Sequence, residues 1–365
     1  MRHHTLDVSN PESIAVVERM INEFLPLFSS NLFNICADET FDLGKGKNKE
    51  KADTLGVGRL YVDFINKIIN LVKKHGKRVM MWDDIITKHP EFIDEVPEDV
   101  IFLHWDYQAN PKEDTVKLIS ASGHDFYQCP ATWVWNQLLP RIRFAHQNIL
   151  NTVKYGTVYK PVGILNTNWG DYGQINFLSS AIPGLVQGAC YSWNPDALHD
   201  LTEINTNTAK LYYNDSTGTL LNLITEASDL QLFTFGQYVN YVEGYGQINL
   251  DITYDKINSS NQRLNEILSS LVTFLSVVPK DLQIDIYEMM LAVKGIMLFN
   301  KLLHVMQVYE GKLSSSLEVN PQELANEFDG WFYEYTKLWR ARNRESELHR
   351  LRDVFRGLTR RIRSY

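Results

Sequence analysis

The chain predicts an α/β protein: a parallel sheet with helices outside it, followed by a helical C-terminal region. Two observations predict this. Between residues 33 and 167, short apolar runs alternate with amphipathic helical patterns, the order that right-handed strand-helix-strand units produce. Beyond about Pro195, apolar residues recur mainly at helical spacing. The expected division is therefore a sheet domain over 1–195 and a mainly helical region over 196–365.

Asn10-Pro11-Glu12 starts the first helix with proline in its first turn. Ile14, Val17, Met20, Ile21, Phe24 and Leu25 then keep helical spacing up to Pro26. The stretch Phe33-Asn34-Ile35-Cys36-Ala37-Asp38-Glu39 follows, an apolar run ending in two adjacent carboxylates. The Gly- and Lys-rich segment from Asp42 to Lys51 cannot continue a strand. Parallel strands covered on both faces are near-continuous apolar runs, and chemistry gathers at their carboxyl ends, so Asp38 and Glu39 sit where a catalytic pair would. The plainer alternative is that the two acids begin a solvated loop.

Leu60, Phe64, Ile65, Ile68, Ile69 and Val72 mark a second helix, stopped near His75-Gly76. Arg78 to Asp84 is an apolar run again ending in acids. Further strands are expected at Asp99 to Trp105, Asp125 to Cys129 and Pro161 to Thr167, with helices over 114–120, 138–153 and 177–190. Five strand-helix units result. Residues 204–219, rich in Asn, Thr, Ser and Gly, read as a surface excursion or a domain junction. Long helices are expected over 255–276, 281–307 and 321–362. The stripe Phe328, Trp331, Phe332, Tyr335 and Leu338 in the last is best read as helix packing.

With 365 residues, 44% hydrophobic and 22% charged, the chain has the composition of a folded domain protein. Its net charge of −8 argues against a nucleic-acid surface, and the basic cluster Arg360-Arg361-Ile362-Arg363 complements a helix C-terminus. Cys36, Cys129 and Cys190 have no CxxC spacing and read as buried thiols of a cytoplasmic protein, with no metal site and no cofactor expected. No run of 18 uninterrupted apolar residues suggests a membrane span, and residues 1–5 contain no apolar segment of a secretion signal.

Six of the eight tryptophans, Trp82, Trp105, Trp133, Trp135, Trp169 and Trp193, fall between residues 82 and 193, most at or just past predicted strand ends. Flat aromatic walls among Asp83, Asp84, Asp106, Tyr107, Asn136 and Asp171 suit a sugar, whose apolar face stacks while its hydroxyls bond to acids and amides. Any single tryptophan could equally be core. A nucleotide-binding sheet is disfavoured because no GxGxxG or GxxxxGK[ST] follows a predicted strand.

On these residues the chain resembles glycoside hydrolase family 20, the β-N-acetylhexosaminidases. Phe33 to Glu39 is similar to the family's Phe-His-Ile-Gly-Gly-Asp-Glu at the fourth strand of a (β/α) barrel. Met81-Trp82-Asp83-Asp84 resembles its fifth strand, and Trp169-Gly170-Asp171 its eighth. The resemblance covers about residues 5–195. It implies a partial TIM-type (β/α) barrel of about five units, equivalent to strands 4–8, and exo-acting removal of terminal GlcNAc or GalNAc from glycans. In that chemistry Glu39 would protonate the departing oxygen. Asp38 would orient the substrate's own 2-acetamido group, which attacks the anomeric carbon in place of an enzyme carboxylate. Two carboxylates so close would push one pKa up. The resemblance further implies that Trp82, Trp105, Trp133, Trp135 and Trp169 wall the sugar, that Asp171 binds its hydroxyls, and that Tyr107, or else Tyr127, holds the acetamido carbonyl.

The chain departs from the family in having no counterpart of the first three strands or of the first-strand arginine that grips the sugar. Asn34 replaces the family's histidine, and Cys36-Ala37 its glycine pair, changes expected to be mild. Five strands cannot close an eight-stranded barrel, so the expectation is a piece of a longer protein, self-association through the open edge, or C-terminal helices packed across the gap. The competing expectation is a non-catalytic sugar-binding or interaction remnant of the same fold.

Overall fold

The structure, a computed structural model, describes residues 5–172, 174–196, 200–248, 251–309 and 319–365. The chain divides into two compact units: Met1–Pro130 with Leu150–Leu165, and Ala131–Ile149 with Asn166–Tyr365.

The first unit is built on five parallel strands in sequential order, β1 (Leu32–Asn34), β2 (Arg78–Trp82), β3 (Ile101–Trp105), β4 (Phe126–Cys129) and β5 (Gly163–Ile164). Phe33 pairs with Val79, Met81 with Phe102, Leu103 with Tyr127, and Tyr127 with Gly163. The helices are α1 (Pro11–Phe24), α2 (Lys49–Leu55), α3 (Val57–Lys73), α4 (Glu113–Ala121) and α5 (Ile142–Tyr159); the division between units falls within α5, after Ile149. Asn10 caps α1, its side chain accepting the Glu12 N–H at 3.0 Å. The buried face of α3, with Val62, Ile69 and Val72, packs with Val79, Met81 and Phe102 of the strands. The architecture is α/β, a partial barrel with its strands in the expected places.

Among the described residues β1 pairs only with β2, so its other edge has no strand partner. Beside it Met20, Phe24, Leu27, Phe28 and Leu32 are exposed.

The second unit is helical: α6 (Ile182–Trp193), α7 (Leu201–Tyr212), α8 (Leu220–Asp229), α9 (Phe235–Val242), α10 (Tyr254–Phe274), α11 (Gln283–Tyr309), α12 (Pro321–Arg342) and α13 (Leu348–Arg363). Residues 280–309, which contain α11, include an 18-residue window apolar enough to cross a membrane, with a mean hydropathy of 1.4. However, 78% of that window is buried inside the unit, and α11 carries the buried polar residues Asp285, Glu288, Asn300 and His304. It is packed as a core helix. Arg342 pairs with Asp285 and, at 3.2 Å, with Glu288, while the Tyr213 hydroxyl donates to Asp285 at 3.1 Å.

Three expectations are corrected. Residues 204–219 are not a surface excursion, because α7 occupies most of them. Its Asn205 side chain donates to Thr225 at 2.9 Å and Asn222 at 3.1 Å, so polar composition here serves buried bonding. The helix expected over 321–362 is two, broken where Asn343 turns extended and the Trp339 indole N–H donates to the Arg344 carbonyl at 3.0 Å. The break lets Phe355 of α13 stack on Trp331 and Phe332 of α12, with centroids 5.2 and 4.7 Å apart, so the aromatic stripe is packing. Finally, only Cys129 is buried; Cys36 lies past the end of β1 and Cys190 on the outer side of α6, both exposed.

Candidate active site

The carboxyl end of β1 is a tight, irregular turn. Cys36, Ala37 and Glu39 have φ of 61°, 72° and 50°, a region that costs a residue with a side chain roughly 1–2 kcal/mol. The substitutions Cys36-Ala37 for a glycine pair are therefore not mild, since both positions adopt the conformation glycine favours. The turn persists because each strained residue is tethered. The Cys36 carbonyl accepts the Trp82 N–H at 3.0 Å, the Ala37 carbonyl accepts the Tyr61 hydroxyl at 2.9 Å, and the Glu39 N–H donates to Asp84 at 3.3 Å. The Asn34 side chain closes the strand by accepting the Cys36 N–H at 2.9 Å. Replacing Cys36 or Ala37 by glycine is expected to raise unfolding stability by about 1 kcal/mol each. Urea unfolding checks this, and two neutral or destabilising variants would refute the strain.

The ends of β2 and β3 supply the neighbouring groups. Trp82 is buried against Leu103 and Cys129, with Trp105 and Tyr127 packed beside them. The Asp83 carboxylate accepts the His104 Nδ1–H at 2.6 Å, both side chains buried; Thr115 lies 3.4 Å from the other ring nitrogen. Burial opposes the charge of His104, but Asp83 outweighs it and the pKa is raised. Asp84 is nearly enclosed, its side chain 11% exposed. Burial pushes its carboxyl up, the Asp38 charge adds to this, and Lys88 and the Glu39 N–H oppose it. The unit holds a cleft of about 800 Å³ whose lining includes Asp38, Glu39, Tyr61, Phe33, Met20 and Phe24.

Asp38, Glu39, Trp82, Trp105 and Tyr107 thus belong to the first unit, at the carboxyl ends of β1, β2 and β3. The Trp105 and Tyr107 rings lie 4.9 Å apart. Tyr127 points its ring into the Trp82 cluster from within β4. Trp133, Trp135, Trp169 and Asp171 belong to the second unit. There Trp133 and Trp135 lie 4.3 Å apart, Arg141 covers the Trp133 ring at 5.0 Å, and the Asn136 side chain donates to Asp171 at 3.2 Å. Trp169 is 39% exposed. Trp193, grouped with the strand-end tryptophans by sequence, ends α6 instead and is 91% exposed. Among the described residues no group of three or more His, Cys, Asp or Glu could hold a metal ion.

Tyr61 and His104 were not singled out by the sequence reading. His104 left a signal, the one ionisable side chain within the run Val100 to Trp105; Tyr61 left none beyond its place in an amphipathic helix.

Two acids thus follow the first parallel strand, and tryptophans end the next two, on a partial (β/α) scaffold. Residues 1–160 match the model of glycosyl hydrolase family 20, catalytic domain. A relative named beta-hexosaminidase 1, from Coccidioides posadasii, is 25% identical over 137 residues, covering 36% of this chain and 22% of that protein. A lacto-N-biosidase of Bifidobacterium bifidum is 28% identical over 116 residues, covering 29% of this chain and 10% of the other. The chain thus aligns with less than a quarter of either relative's length. A mutant O-GlcNAc hydrolase of Thermobaculum terrenum shares the fold at a TM-score of 0.50 and 10% identity, over 98% of this chain and 76% of that one.

Proposed function

We propose that the chain is an exo-acting β-N-acetylhexosaminidase that removes terminal GlcNAc or GalNAc with retention, through an oxazolinium formed by the substrate's own acetamido group. The observation that carries this reading is the Asp38-Glu39 pair, held by tethers from Tyr61, Trp82 and Asp84 at the end of β1 within the family-matched region. Glu39 protonates the departing glycosidic oxygen. Asp38 orients the acetamido N–H and offsets the positive charge of the ring that forms. Trp82 and Trp105 give apolar faces to the sugar, and Tyr107 offers a hydroxyl to the acetamido carbonyl. In the second unit Trp133, Trp135, Trp169 and Asp171 form a ring-stacking and hydroxyl-binding set. Three free thiols support action in the cytoplasm.

The test is release of the aryl group from an aryl N-acetyl-β-glucosaminide, with binding of a thiazoline inhibitor as the second assay. Turnover blocked by the thiazoline supports the enzyme. Thiazoline binding without turnover identifies a sugar-binding remnant and refutes the enzyme, and the absence of both turnover and binding refutes the sugar site altogether.

We further propose that the chain self-associates through the free edge of β1, where Met20, Phe24 and Leu27 are exposed. Light scattering is expected to show a dimer or larger species that Met20→Glu with Leu27→Glu converts to monomer; a monomeric wild type refutes it.

A further inference from the structure

We infer that Asp84 is a positioning residue for the general acid: its carboxylate holds the Glu39 backbone N–H and so aims the Glu39 side chain. This rests on the family 20 reading of Glu39. Glu39 sits at φ 50°, the last of three left-handed residues in four positions, a backbone conformation that its own sterics disfavour and that must be held by outside contacts. Cys36 is anchored to the end of β2 through the Trp82 N–H, and Ala37 to α3 through Tyr61, but neither contact reaches past Asp38. One bond that ties Glu39 to the sheet is Asp84 Oδ2 accepting its N–H at 3.3 Å. The Glu39 carbonyl, which accepts the Phe41 N–H at 2.7 Å, is bonded within the same loop and moves with it.

Asp84 itself is fixed. It follows Asp83, which is locked to His104, and its Oδ2 also faces Lys88 at 3.4 Å. Its other oxygen, Oδ1, is enclosed with no hydrogen-bond partner among the described residues.

The experiment compares kcat and KM of the full chain on a GlcNAc disaccharide and on an activated aryl N-acetyl-β-glucosaminide, for wild type, Asp84→Asn, Asp84→Ala and Lys88→Met. A general acid aimed wrongly hurts most where the leaving group needs a proton. Asp84→Ala is expected to lower kcat on the disaccharide about 10- to 100-fold with KM nearly unchanged, and on the aryl glycoside far less. Asp84→Asn keeps an oxygen for the Glu39 N–H and should recover most of the loss. Lys88→Met should stay within about twofold, since the Lys88 ammonium is solvated and meets Asp84 only at 3.4 Å. Equal losses on both substrates, or Asn performing no better than Ala, would overturn the proposal. Hydrogen exchange at the Glu39 amide gives a readout free of activity: faster in Asp84→Ala and protected in Asp84→Asn if the bond positions the turn, alike in all variants if it does not. If wild type cleaves neither substrate, the hydrolase reading falls, and amide exchange alone decides the role of Asp84.

Discussion

Glu39→Gln should abolish cleavage of a GlcNAc disaccharide while sparing much of the activity on an activated aryl glycoside, whose departing oxygen needs little protonation. Asp38→Asn should damage both substrates alike, because it weakens formation of the oxazolinium itself. Removing such an electrostatic partner costs about 2–4 kcal/mol of transition-state stabilisation, roughly 30- to 1000-fold in rate. Steady-state kinetics on the two substrates separate the roles. If Asp38→Asn leaves turnover of N-acetyl substrates unchanged, acetamido participation is wrong for this chain.

The second large effect lies in the helical unit. Asp285 and Glu288, one turn apart on α11 and each 1% exposed, share Arg342; Glu288 also accepts the Ser179 backbone N–H at 3.2 Å. Arg342→Leu strands two buried carboxylates and should cost about 3–5 kcal/mol of stability near neutral pH. Burial raises the Glu288 pKa and the Asp285 charge adds to it, while the Ser179 bonds and Arg342 oppose the rise. A carboxyl raised in the folded state binds its proton more tightly there than when unfolded. Its favourable contribution is therefore present below the ordinary glutamate value of about 4.3 and is lost as pH rises through the folded value. Without Arg342 the folded pKa should climb further, so the deficit against wild type should narrow on going from pH 7 to pH 5. Urea unfolding at both pH values checks this, and an equal deficit at each would show that Glu288 does not take up the proton.

The sheet was legible because its strands are short apolar runs ended by chemistry-bearing residues: Arg78 to Trp82 and Ile101 to Trp105 could be read almost residue for residue. The Asp38-Glu39 position was legible for the same reason. What could not be read was backbone conformation. Cys36 and Ala37 look like ordinary strand residues, and only their φ values show that the turn beneath the acids is strained. The role of Asp84 was equally hidden, since its partner Glu39 lies 45 residues away in sequence. In the helical unit α7 was missed because Asn205 and Thr208 bond inward, whereas composition reads such residues as solvated. The break at Asn343 was missed because apolar spacing continues across it.

The order in which the chain visits its two units bears on synthesis. Residues up to Pro130 belong to the first unit, Ala131–Ile149 to the second, and Leu150–Leu165 return to the first. On the ribosome the first unit cannot be complete when its first 130 residues have emerged, since β5 and the second half of α5 are still to come. Its nascent sheet must wait with β4 unpaired on one side while a segment of the other unit is made. Domains fold as units during elongation at roughly 5–20 residues per second, so the sheet edge at β4 stays open for seconds. During that interval the growing polypeptide is open to capture by a chaperone or by the same edge on a neighbouring nascent chain.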